Sequence, residues 1–168
     1  MRKDGINRIK RLTAEVRSNE GFYIGDICYV LPDNIYHGIW GDKHGYESGL
    51  VEVEAMNEAE TEGGGQEPQT PQTAFAFAVA STNFGDGLYG DEEGSEYPVD
   101  AGVIGIVPLE LVKADIGSDL NLGRVERTPG TARFEAEDGI FDITLPDGRK
   151  VHIDTRYYVD EEHAEDQD

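Results

Sequence analysis

Between Thr131 and Thr155 the chain reads TARFEAEDGIFDITLPDGRKVHIDT, and this stretch constrains the whole fold. Phe134, Ile140, Phe141, Ile143, Leu145, Val151 and Ile153 fall into three short runs, separated by Asp138-Gly139 and Asp147-Gly148. Asp-Gly supplies the positive φ that tight hairpin turns need, so the spacing predicts a three-stranded antiparallel meander. Such a meander leaves open edges and an apolar face, and further strands must cover them.

Other segments supply those strands. AFAFAVAST (74–82) places Phe75, Phe77 and Val79 on one face and alanines on the other. AGVIGIVPLELV (101–112) has no polar face and reads as a buried strand that Pro108 ends. FYIGDICYVL (22–31) is a branched and aromatic run closed by Pro32-Asp33, with Cys28 and Tyr29 on opposite faces of the strand. Leu50, Val51 and Val53 start another strand, whereas NIYHGIWGDKHGYESG (34–49) predicts a short helix or turn and a loop. The stretch 83–100 carries the turn signals Asp86-Gly87 and Glu93-Gly94, and 113–130 is a polar connection with a helical turn. The predicted fold class is mostly β: an antiparallel small barrel or bent sheet with one or two short helices.

At 168 residues the chain fits one domain. Residues 1–20 are expected to form a basic N-terminal arm or helix, because Ile6, Ile9, Leu12 and Val16 sit at near-helical spacing among cations. A first strand or helix docked on the acidic body is the simpler reading of the same segment. The β domain spans 21–155, with a flexible insertion at 56–73 where Glu, Gly, Gln, Pro and Thr bury no apolar area. An acidic tail covers 156–168.

Charge limits the partners. Asp and Glu number 35 against 14 Lys and Arg, a net −21, while residues 1–20 hold six basic side chains against three acidic ones. A body this acidic repels phosphates and anionic lipid over the ~8 Å Debye length of physiological salt. Nucleic-acid binding is thus expected only through the arm. Five Lys against nine Arg, with carboxylates in every loop, point to adaptation to high salt. Mimicry of the phosphate ladder of DNA, to block a nuclease or defence complex, is the competing explanation, and an acidic tail alone is a third. No run approaches the ~18 apolar residues of a membrane helix, and no secretory leader is evident, so a cytoplasmic or virion location is expected. Cys28 is the one cysteine, which excludes an intrachain disulfide and a thiolate metal cluster.

The segments GDICYVLPD (25–33), NFGDGLY (83–89), YPVDAGVIGIVPLEL (97–111) and DGIFDI…VHIDT (138–155) occur in order. Together they resemble an uncharacterised family of small proteins from bacteria, archaea and their tailed viruses. That family runs through a GDPCYV-type strand, a GDGxY turn, a VDAGxIGIVP strand and a closing GxF…IDT hairpin. The resemblance implies a shared fold and no known reaction, and it suggests a virion or assembly accessory. The chain departs from the pattern at Ile27, where the family has proline, and so loses that reason for a bend after Asp26.

Asp26, Asp86 and Asp100 each lie where a strand meets a glycine-containing turn, and are expected to accept backbone N–H bonds and fix loop geometry. Their convergence on a cation or on acid–base chemistry is the alternative, as is a nucleophilic Cys28 with His37 or His44 as base. Histidines 37, 44, 152 and 163 lack metal-site spacing, and no phosphate-loop, dinucleotide or GxSxG motif occurs. No cofactor or metal is expected. Tyr36, His37, Trp40 and Tyr46 form the candidate partner-binding surface, since Trp and Tyr are frequent interface anchors. The expected function is a non-enzymatic structural or interaction protein with protein partners, itself among them.

Overall fold

The computed structural model describes residues 11–54, 74–113 and 122–155. Two antiparallel sheets pack face to face, and a helical layer covers the outer side of one of them. The first sheet has the order β1-β9-β10-β11, with β1 Arg11–Ser18, β9 Gly130–Glu137, β10 Ile140–Thr144 and β11 Lys150–Asp154. The second has the order β3-β4-β7-β2-β8, with β2 Phe22–Gly25, β3 Gly49–Glu54, β4 Ala74–Ser81, β7 Val103–Pro108 and β8 Arg124–Glu126. A separate hairpin joins β5 Gly87–Gly90 to β6 Glu96–Val99. The bent-sheet form of the mostly β expectation holds, and the sheets do not close into a barrel.

The meander of 130–154 forms as the sequence predicts. Asp138 (φ +57) and Gly139 (φ +83) make the left-handed pair of the first turn. Phe134, Phe141, Ile143, Val151 and Ile153, with Val16 of the same sheet, face a core shared with Phe22, Ile24, Ile104 and Ile106 of the facing strands. A second core lies on the far side of the five-stranded sheet. There Tyr23, Ile27, Phe77, Val79, Val103 and Val107 meet Leu31, Ile35 and Trp40. β4 divides the two as its alternation predicts: Ala78 and Ala80 face the first core, Phe77 and Val79 the second.

Three expectations need correction. The basic segment 1–20 is not a separate arm or helix over its second half, because 11–18 is β1, paired with β9 from Arg11↔Glu137 to Ser18↔Gly130. Period-two burial wins over the near-helical spacing there: Ala14, Val16 and Ser18 are buried while Thr13, Glu15 and Arg17 are exposed. Residues 1–10 lie outside the described residues, as do the insertion at 56–73 and the tail at 156–168. The strand expected over 22–31 stops at Gly25, and Ile27–Tyr29 is a turn of 3₁₀ helix. The connection 113–130 contains β8, whereas the turn signals of 83–100 stand where expected, Asp86-Gly87 entering β5 and Glu93-Gly94 in the turn to β6.

Candidate functional site

Asp26 explains why β2 stops. Its side chain is fully buried, and Oδ1 accepts the Cys28 N–H at 2.9 Å, which caps the 3₁₀ turn. Oδ2 accepts the N–H groups of Asp100 at 2.7 Å and Ala101 at 2.6 Å. One carboxylate thus bends the chain after β2 and fastens the turn before β7. Asp26 and Asp100 come together, but Asp100 contributes its backbone to this joint. Its own carboxylate is the hydrogen-bond acceptor that, after burial, raises the Tyr29 phenol well above its ordinary range. Asp86 stands exposed in the turn before β5 and takes no part in the joint.

Cys28 is half-buried beside these carboxylates. Burial first, then the charges of Asp26 and Asp100, push its thiol up to about 12, so it is protonated at neutral pH. Tyr36 is raised to about 12 by burial first, then by Cys28 and Asp26. Among the described residues, no three His, Cys, Asp or Glu side chains are grouped to hold a metal ion.

The aromatic residues singled out in 34–46 do gather. The chain is helical over 33–44, and its middle six residues, Tyr36–Gly41, are wound as a π-helix, a form that favours functional segments. Tyr36 lies edge-on to His37 at 4.8 Å and to Trp40 at 5.2 Å, and Tyr46 edge-on to Trp40 at 5.2 Å. These are favourable edge-to-face separations. Trp40 is 2 % exposed and donates from Nε1 to the Glu47 carbonyl at 2.9 Å, so it anchors the group. Gly45 (φ +65) ends the helix, and Tyr46 (φ +57) continues the left-handed path with its N–H on the Trp40 carbonyl. Tyr46 remains 49 % exposed, its hydroxyl joined to His37 Nδ1 by a 2.8 Å hydrogen bond. His37 is therefore engaged with Tyr46, and Trp40 acts as support beneath the exposed rings.

Two features escape the sequence. Arg124 of β8, its side chain 11 % exposed, donates to Asp91 at 2.8 Å, Glu93 at 2.8 Å and Glu126 at 2.6 Å. Asp91 also accepts the Tyr97 hydroxyl at 2.6 Å and two backbone N–H groups of its own turn. Burial would raise the Asp91 carboxyl, but Tyr97, the turn amides and Arg124 outweigh it and hold the group below its ordinary range. No local pattern links Asp91 to Arg124. The other feature is a cleft of about 750 Å³ beside Tyr46, walled by the ends of β1, β4 and β9. Its one sequence signal is the Asp138-Gly139 turn.

Fold and site thus describe a two-sheet β protein with a helical cap and an aromatic patch. Comparison with protein-family models, curated proteins and solved structures finds no match to this chain. Among the described residues, no helix is long and apolar enough to cross a membrane.

Proposed function

We propose that this is a non-catalytic recognition protein that offers Tyr36, His37 and Tyr46, braced by Trp40, to a protein partner. The observation that carries this reading is the clamped aromatic patch: rings held in place, one buried and one half exposed. Fixed aromatic rings lose little freedom on binding, which is what makes them anchors. The reactive groups point the same way. Both oxygens of Asp26 are taken by backbone N–H groups, and burial beside Asp26 and Asp100 keeps the Cys28 thiol protonated.

The partner is a component of the same assembly, a second copy included, and the setting is a tailed virus or its host in high salt. The resemblance to small proteins of bacteria, archaea and their tailed viruses suggests the setting. The outer face of the four-stranded sheet supports the salt-adapted reading over DNA mimicry. Arg11 faces Glu137, Glu15 faces Arg133, and Asp142 faces both His152 and Glu135, so cations are interspersed among the carboxylates of this face. A mimic of the DNA phosphates presents a surface of one sign.

Size-exclusion chromatography with light scattering in molar salt tests the proposal. A mass above the 18.5 kDa monomer, alone or with purified particle components, is expected, and Tyr36→Ala with Tyr46→Ala reduces it. A strict monomer that binds none of those components overturns the reading.

A further inference from the structure

The cleft beside Tyr46 carries an inference that does not depend on a protein partner. It lies between the Arg11 end of β1, the turn from β9 to β10, the end of β4 and the segment that leaves the helix. We propose that it binds a neutral saccharide, with the Tyr46 ring as a stacking platform and Glu47, Asn83, Glu137 and Asp138 as partners for hydroxyl groups.

The platform is the first argument. An exposed tyrosine ordinarily swings free, but this ring is fixed on three sides. Trp40 meets it edge-on at 86°, His37 holds its hydroxyl, and Gly41 lies so close that a Cβ there would come within 2.4 Å of the ring. Its backbone occupies a left-handed conformation that costs a tyrosine free energy, while half of its surface stays in water. Burial in the core does not account for that combination. Its place in the cleft wall does.

The lining is the second argument. Among the described residues, Glu47, Glu137 and Asp138 line the cleft with Arg11 as their one cation, itself 4.0 Å from Glu137. Phosphates and carboxylates are therefore repelled, and the net −21 of the chain adds to that repulsion. Carboxylates are acceptors only, and Asn83 adds an amide that both donates and accepts. A planar apolar ligand would satisfy Tyr46 and strip water from the carboxylates without replacing it. A sugar satisfies both, since its C–H face lies on the ring while its hydroxyls donate outward. The volume lies within the ~300–1,000 Å³ usual for ligand sites.

An organic cation meets the same charge, and salt distinguishes the two. The test titrates the full chain with maltose, cellobiose, lactose and N,N′-diacetylchitobiose, and separately with spermidine, reading saturation-transfer NMR and Trp40 emission. At least one disaccharide is expected to bind at millimolar concentration or below. Its affinity should hold between low salt and about 1 M, where the Debye length falls to ~3 Å. Tyr46→Ala is expected to weaken binding about tenfold with the far-ultraviolet spectrum unchanged, the size of one lost ring contact. Glu137→Gln, which keeps shape and one acceptor, should weaken it less. Failure of all four sugars, an affinity indifferent to Tyr46→Ala, or binding of spermidine alone that disappears with salt would each overturn the proposal. Light scattering reads the assembly independently, so either idea can fail without the other.

Discussion

At the scale of single residues, buried polar groups decide the local geometry. Asp26 accepts three N–H bonds from two segments, so removing its carboxylate strands three donors in a sealed joint. Asp26→Ala is expected to cost about 3 kcal/mol or more in urea unfolding, and Asp26→Asn less, because one acceptor survives. That role was legible in the sequence, since a carboxylate at a strand end before a turn has backbone donors within reach. The place of Cys28 was not, because nothing in ICY distinguishes a strand from a 3₁₀ turn until Asp26 caps it. His152 offers a second residue-level test. Its hydrogen bond to Asp142, 2.6 Å away across β10 and β11, raises its pKa above 6.5. The pair therefore stabilises the fold fully below the unfolded imidazole's pKa and loses its effect as pH rises through the higher folded value. An NMR titration of His152 should return an elevated pKa, and Asp142→Asn should bring it back toward 6.5.

At the scale of elements, legibility followed the size of the apolar signal. β4, β7 and the meander were readable because their side chains repeat every two residues or leave no polar face. β5, β6 and β8 were not, because they are three or four residues long and their stability comes from elsewhere. Arg124 supplies much of it, tying β8 to the β5–β6 turn, and Glu126 extends the tie to Arg149 in the turn before β11. Arg124→Ala leaves the Asp91 carboxylate, 1 % exposed, without its cation. It should cost about 3–5 kcal/mol, the range for breaking one side of a buried pair. Asp91→Ala in the same background should add less than it does alone, a coupling that a double-mutant cycle measures. The aromatic patch was readable as a composition, but its clamp was not, because the left-handed turn at Tyr46 depends on the π-wound residues before it.

At the scale of the whole molecule, the surplus of carboxylates sets the conditions under which the fold is most stable. Repulsion among them falls as the Debye length shrinks from ~30 Å at 0.01 M salt to ~3 Å at 1 M. The melting temperature is expected to rise steadily over that range in sodium chloride, and a flat profile would mean that the mixed-sign ladders already balance the surface. The pairing of β1 with β9 has a different consequence, one of timing. Arg11 meets Glu137 and Ser18 meets Gly130, partners more than a hundred residues apart. At about 5–20 residues per second, a ribosome exposes the earlier strand for roughly ten seconds before its mate exists. During that interval β1 is an unmatched ribbon with an apolar side, and its Arg11, Thr13, Glu15 and Arg17 are what discourage neighbouring nascent chains from docking there first.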